Sequence, residues 1–265
     1  MKKNIVIASA LVIASMVLLP LIRHRAQKQN FTLEWIEITP QTYASLRPTL
    51  DALRPVYIEA FLPLMKPYVY AYDPRLQNLP QNLPVEKLST VEQHVVAGIT
   101  KVLKTDWDKD MTQLQAPLKS KEAAITYAAI AKDNRQKVLG FALLTETPQG
   151  QSIRDYLDSR LVSISEGSTK DISPETRDQT FVTKLAVTPS SQGMGIGKAL
   201  IFAIFDHCPR IKKVYLTTSA NQLNKKAQTF YEHIGFRCVL KGTVAPGAHP
   251  YDLDRDVLVY RYESR

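Results

Sequence analysis

The sequence predicts a mixed α/β chain, with helices packed around one sheet, and three observations carry the prediction. Short runs of β-branched and aromatic residues alternate along the chain with longer runs whose apolar residues recur at three- and four-residue steps. One strand, Phe181 to Val187, passes through a glycine-rich turn straight into a helix, Ile196 to Cys208, which Pro209 stops. A second strand, Lys213 to Thr218, is followed by a helix over Asn221 to Ile234, and Gly235 stands where a left-handed cap is wanted.

At 265 residues, 45% of them hydrophobic, the chain can bury one sizeable core, and one domain of roughly 200 residues accounts for it better than two. A net charge of +9 suits an anionic cofactor, an acidic substrate or an anionic membrane face. Nucleic acid is not an expected partner, because no basic helix, zinc-finger spacing or aromatic RNA-binding pattern accompanies the charge. Cys208 and Cys238 are too few for a disulfide framework and read as reduced thiols. His24, His94, His207, His233 and His249 show no metal-ligand spacing. Asp252, Asp254, Asp256 and Glu263 fall at calcium-loop spacing, but Val257 stands where that loop needs glycine, so no metal is expected.

Taken in order, the chain begins with Lys2 and Lys3 and an uncharged, mostly apolar run from Ile5 to Ile22, about 27 Å long as a helix and close to a bilayer core in thickness. Ile22-Arg23-His24-Arg25 follows, without the small residues of a cleavage site. Residues 1–30 are therefore predicted to be an uncleaved membrane anchor, with a cleaved signal segment as the alternative. Lys2, Lys3 and the amino terminus balance Arg23, Arg25 and Lys28, so charge does not set the orientation.

Phe31 to Thr39 alternates as a first strand, closed by Pro40. From Gln41 to Tyr70, Leu46, Leu50, Leu53, Tyr57, Ala60 and Phe61 recur at helical steps, and Pro48, Pro55, Pro63 and Pro67 predict two or more short helices instead of one long one. Tyr57, Tyr68, Tyr70 and Tyr72 crowd this region, either lining a pocket or packing in the ordinary way. Asp73 to Pro84 reads as a loop, Val85 to Leu103 as amphipathic helix, and Thr105 to Lys121 as a loop or surface helix. Ile125 to Ala131 and Val138 to Thr147 read as strands joined by a polar hairpin connection. Residues 148–180 carry Gly150, Gly167 and Pro174 around a short helix at Ile153 to Leu161, and read as a mobile insertion. After the two strand-helix units, Phe236 to Leu240 and Val257 to Tyr262 complete the strands.

In the glycine-rich turn, Gly193, Gly195 and Gly197 stand where a helix starts. Glycine lets the backbone turn sharply and lets an anion approach the free N–H groups at the positive end of the helix dipole, which suits a pyrophosphate. A P-loop would need glycine in place of Gln192 and Ser or Thr in place of Ala199, and a dinucleotide fingerprint would need glycine in place of Lys198. Neither fits. In the later helix Leu223, Ala227, Phe230 and Ile234 form one stripe, while Asn224 and Tyr231, two turns apart, share another face.

Leu185, Val187, Pro189, Gln192, Gly195 and Gly197 resemble the acyl-CoA-binding motif of the GNAT superfamily of N-acyltransferases. Asn224, Ala227, Phe230, Tyr231, Gly235 and Phe236 resemble its second motif, Asn-x-x-Ala-x-x-Phe-Tyr-x-x-x-Gly-Phe, and follow the first in the family's order. The resemblance spans Ile125 to Tyr262. It implies a mixed, mostly antiparallel sheet of six to seven strands, splayed between the fourth and fifth and flanked by helices. Residues 31–265 would form this domain, with 31–122 as an enlarged opening and 148–180 as the insertion. The activity implied is an N-acetyltransferase that moves the acetyl group of acetyl-CoA, a cosubstrate, to a primary amine of a small molecule or peptide by direct attack through a tetrahedral intermediate. A non-catalytic CoA-binding module with a sensing or scaffolding role is the alternative.

By the same resemblance, backbone groups of Leu185, Ala186 and Val187 would bind the pantetheine arm, and an N–H near Ala186 or Val187 would polarise the acetyl carbonyl. Amides of Gln192, Gly193, Met194, Gly195, Ile196, Gly197 and Lys198 would hold the pyrophosphate. Asn224 would bond the pantetheine, and Tyr231 would protonate the departing thiolate as general acid. Glu146 and Asp178 come into view as bases but read as solvated carboxylates, so no base is assigned. Because acetyl-CoA is a cytosolic metabolite, the resemblance also orients the predicted anchor, which itself lies outside the family: a membrane-anchored protein with its catalytic domain in the cytoplasm is expected, secretion after signal cleavage being the alternative.

Overall fold

The computed structural model describes residues 31–72, 76, 85–113, 125–146, 151–174, 177–245 and 255–264. The strands are β1 (Thr32–Ile38), β2 (Thr126–Lys132), β3 (Val138–Thr145), β4 (Leu161–Gly167), β5 (Gln179–Val187), β6 (Lys213–Ser219), β7 (Arg237–Val244) and β8 (Asp256–Glu263). The helices are α1 (Pro40–Asp51), α2 (Arg54–Tyr72), α3 (Val85–Gln113), α4 (Ile153–Arg160), α5 (Ile196–His207) and α6 (Lys225–His233).

One mixed sheet of eight strands runs in the order β1-β2-β3-β5-β6-β8-β7-β4. Neighbours are antiparallel except β5 and β6, which are parallel and joined by α5, the crossover that a parallel pair requires. β2 and β3 are buried almost throughout, because helices cover both faces and their apolar residues have no solvent side. On one face Leu200, Ile201 and Ile204 of α5 pack over Ala129, Ala142, Val214 and Leu216. On the other, Leu50, Tyr57, Ile99, Leu103, Trp107 and Met111 from α1 to α3 pack over Ala128, Ile130, Phe141 and Leu143.

The β5–β6 ladder is short. It runs from Gln179 opposite Lys213 to Val182 opposite Leu216 and ends there. Beyond it β5 stays paired with β3 as far as Val187, and β6 stays paired with β8 as far as Ser219. The parting has a local cause. Leu143 faces Lys184 while Leu144 faces Val182, which leaves Thr183 as one extra residue in β5. Such a bulge bends the strand and increases its twist, and here it falls where the partner is lost. The expected splay is present.

The sheet has one strand more than predicted, and the extra one is β4, inside the region read as an insertion. Six of its seven residues are exposed, and it pairs with β7 through a twice-shifted register, so alternation leaves little trace of it in the sequence. Ile153 and Leu157 of α4, with Ile172, dock the region on Phe181, Tyr215 and Val259. The proline-rich stretch divides into two helices, α1 and α2, as predicted, but the second is not short. Pro55 sits in the first turn of α2, where no N–H is needed, but Pro63 and Pro67 lie inside an unbroken 19-residue helix. Burial of Val56, Tyr57, Ala60, Met65 and Val69 outweighs the lost main-chain bonds. Thr105 to Gln113, read as loop or surface helix, continues α3, whose Trp107 and Met111 are fully buried.

The apolar run expected to anchor the chain in a membrane lies outside the described residues. Among the described residues no helix is long and apolar enough to cross a membrane. α3 has the length, but its apolar residues form one stripe facing the core. The expectation of a membrane-anchored protein with its catalytic domain in the cytoplasm is corrected to that extent: none of the described helices could serve as the anchor.

A Cβ added at Gly140 in β3 would stand 2.7 Å from the Ala186 carbonyl oxygen, whereas one added at Gly98, inside α3, meets nothing within 4 Å. Gly140→Ala is expected to destabilise the protein by about 1–3 kcal/mol, and Gly98→Ala to stabilise it by about 0.5–1 kcal/mol, in urea unfolding. Equal midpoint shifts would contradict this.

Candidate functional site

The glycine turn follows β5 directly. Thr188 caps a single 3-10 turn over Pro189–Ser191, and α5 starts at Ile196. Gly193 has φ +83° and Gly195 φ +80°, backbone that favours glycine, and an added Cβ at either meets nothing within 4 Å. Backbone angle, not space, therefore requires both. Gly195 is the N-cap and provides no side-chain cap; the first helical bond runs from the Ala199 N–H to the Gly195 carbonyl at 3.1 Å. The amides of Ile196, Gly197 and Lys198 thus have no partner within the helix. Gly197 has a different task, because a Cβ there would lie 3.0 Å from the Phe230 ring of α6. Ile196 is buried in the core, Met194 is 45% exposed, and the Lys198 ammonium lies 5.9 Å from the Phe202 ring centre. The Gln192 amide donates to the Val187 carbonyl at 3.4 Å and accepts from Lys226 Nζ at 2.9 Å, tying the end of β5 to α6.

The gap between β5 and β6 lies beside this turn. The Thr188 N–H donates to the Leu139 carbonyl at 2.9 Å. Successive strand residues present their backbone groups to opposite sides, so Ala186 also faces β3, while Leu185 and Val187 face the gap. Of the two amides considered for the acetyl carbonyl, Val187 has the right orientation and Ala186 does not. Their side chains divide the other way, with Leu185 and Val187 against the α5 core and Ala186 in the α1–α3 core.

On the opposite wall, Asn224 precedes α6 and donates through Nδ2 to the Thr218 hydroxyl at 2.6 Å, just past the point where β6 leaves β5. The Tyr231 ring packs among Phe230, Phe236 and Tyr260, with centroids 5.2, 5.9 and 5.9 Å away. Burial in these apolar surroundings pushes its phenol up to about 12, so it stays protonated at neutral pH. Leu185, Val187, Ile196 and Tyr231 all pack on the same core cluster.

The two carboxylates considered as bases are engaged elsewhere. Glu146 accepts from the Tyr127 hydroxyl and pairs with Arg210, and Asp178 pairs with Lys213. Both sit where β5 begins, about 20–30 Å along the strand from Val187.

A polar cluster escaped the reading of the sequence. Lys184, one residue past the bulge, places its ammonium 2.6 Å from Asp106 Oδ2, 2.7 Å from Asp110 Oδ2 and 3.1 Å from the Tyr57 hydroxyl. Burial alone would lower the ammonium, but Tyr57, Asp110 and Asp106 outweigh it and hold it above its ordinary value. Burial raises the Asp110 carboxyl, against the attraction of Lys184. A lone lysine in an apolar strand, with two aspartates four residues apart in a helix, was the available signal.

The model of the acetyltransferase (GNAT) family matches residues 93–236, more than half of the chain, and the chain belongs to that family. Among solved structures, a protein of Desulfovibrio desulfuricans placed in the GNAT family is 14% identical, covering 88% of this chain and 99% of that one at a TM-score of 0.42. The PaiA N-acetyltransferase of Thermoplasma acidophilum, in complex with coenzyme A, is 12% identical, covering 88% and 99% at a TM-score of 0.41. The smu.2055 protein of Streptococcus mutans is 12% identical, covering 87% and 98% at a TM-score of 0.44. No curated protein matches the sequence.

The Gly197 contact is testable by a double-mutant cycle. Gly197→Ala is expected to destabilise the protein by about 1–3 kcal/mol, and much less in a Phe230→Ala background, where the ring it meets is gone. Additive effects in denaturant unfolding would show that the two residues do not oppose each other.

Proposed function

We propose that the protein is an N-acetyltransferase that transfers the acetyl group of acetyl-CoA to a primary amine of a small molecule or peptide, and that residues 31–265 form its catalytic domain, with 31–122 as an enlarged opening and 148–180 as an insertion. The observation that carries the reading is the β5–β6 ladder that stops at Val182 and Leu216 while both strands continue. It supports a slot into which a pantetheine arm fits as a surrogate strand, bonding the outward backbone groups of Leu185 and Val187. The amides of the 192–198 turn receive the pyrophosphate, helped by the helix dipole. Gln192 and Lys226 hold that turn to the strand end. Asn224, fixed on Thr218, meets the arm from the β6 side.

The chemical step asks for two things from this chain. The Val187 N–H, facing the gap, stabilises the negative charge that develops on the carbonyl oxygen as the amine attacks. Tyr231 gives its proton to the departing thiolate, and the proton that the nitrogen sheds as the amide forms returns to the phenolate through solvent; held near 12 by burial, the phenol is protonated across the physiological range.

Incubating the full chain with acetyl-CoA and a panel of primary amines, and following free thiol, tests the reading; no thiol above the uncatalysed rate with any amine would count against it. Tyr231→Phe is expected to lower turnover by about 10²–10⁴-fold with CoA affinity retained. Because the folded phenol titrates near 12, no alkaline loss of turnover below pH 11 should be traceable to Tyr231. Unchanged turnover in Tyr231→Phe would remove the proton-donor role.

A further inference from the structure

The half of β5 beyond the bulge has only one strand beside it. From Lys184 onward it keeps β3 and has lost β6, so its place in the fold depends on one ladder and on what its side chains grip. Lys184 is the first residue past the bulge, and its side chain is 12% exposed. Asp106 and Asp110 lie one turn apart on α3, so both carboxylates meet the same ammonium, and Tyr57 adds its hydroxyl from α2. The Tyr57 hydroxyl also donates to Asp106, and the ammonium lies 4.6 Å from the centre of the Tyr57 ring. An apolar side chain of similar length would fill this space without the desolvation that an enclosed ion cluster requires. What charged hydrogen bonds add over an apolar contact is direction.

We infer that Lys184 is a positioning residue for acyl transfer: clamped by Asp106, Asp110 and Tyr57, it fixes the height and orientation of the free half of β5, and so of the Leu185 and Val187 amides that face the gap. The inference rests on the acyl-CoA reading proposed above. It makes α2, α3 and the oxyanion-binding strand one body.

The test uses the full chain, with CoA affinity from calorimetry and turnover from acetyl-CoA with the fastest amine of the panel. Lys184→Met is expected to lower turnover about 100-fold, the effect of a small misplacement at the reacting centre. CoA affinity should fall far less, by about tenfold at most, since the amides of the 192–198 turn do not depend on the clamp whereas the arm's bonds to Leu185 and Val187 do. Lys184→Arg, which can bridge two carboxylates, should recover most of the turnover. Because Lys184→Met leaves two carboxylates without their cation, a variant with all three charges removed, Lys184→Met with Asp106→Asn and Asp110→Asn, is measured beside it and should show the same split. Tyr57→Phe, which removes the hydroxyl's bonds to Lys184 and Asp106 and no charge, should lose turnover about fivefold by the same pattern.

Wild-type turnover in these variants overturns the inference. So does loss of CoA affinity in step with turnover, or Lys184→Arg behaving no better than Lys184→Met, since either marks a merely structural group. Wild-type protein that does not bind CoA removes the acyl-CoA reading and this inference with it, whereas wild type that binds and turns over beside unimpaired variants removes this inference alone.

Discussion

One surplus residue in a strand sets the geometry of the site. Thr183 has no cross-strand partner in the β3–β5 ladder, and its hydroxyl donates to the Leu143 carbonyl at 3.2 Å in place of a backbone pairing. The strand bends at that point, and the parallel ladder to β6, intact through Val182, does not resume. Two strands that continue side by side without bonding expose rows of backbone donors and acceptors inside a sheet, groups that must be satisfied by water or by a ligand. The gap is therefore a consequence of register. Each wall is tied to a different neighbour, β5 to β3 and β6 to β8.

Around the gap, glycine serves three separate ends. Gly193 and Gly195 hold left-handed angles that release the amides of the turn, Gly197 admits the Phe230 ring, and Gly140 lets β3 approach the Ala186 carbonyl. The second and third of these draw α6 and β3 toward the turn from opposite directions. Since Phe230 precedes Tyr231, the close approach at Gly197 also settles where the phenol's helix stands relative to the glycine turn.

What could be read from the sequence follows from how locally each feature is encoded. The strand, turn and helix of residues 181–208 were legible because β-branched content, glycine and period all sit within one short stretch. β4 was not, since an edge strand exposed at six of seven positions has no buried face to write an alternation. The continuous α2 was missed for the opposite reason: proline is a strong local signal, and the burial that overrides it comes from α3, distant in sequence. Leu103, Trp107 and Met111 do follow four-residue steps, but the charged residues between them masked a stripe that is fully buried. The bulge at Thr183 left no trace at all, because a bulge is a relation between two strands and neither sequence alone contains it. Site residues fared likewise. Ala186 and Val187 are adjacent in sequence, and only the Thr188 to Leu139 bond decides which of the two amides faces the gap.

The enlarged opening of the chain gains its meaning from the same geometry. α2 lies along β5 and β3 and also reaches the turn at Gln222–Asn224, so one helix touches both walls of the gap. A loop in that place would let the walls move independently. A helix 19 residues long, pinned to α3 by its buried face and to Lys184 through Tyr57, does not. The separation of the two strands is then set by a rigid element on one face of the sheet and by the glycine-led α5 on the other. On the acyl-CoA reading proposed above, that division would place the donor's phosphates at the start of α5, and the polar groups gathered under α2 would bear on the reaction through β5 although they lie outside both sequence motifs.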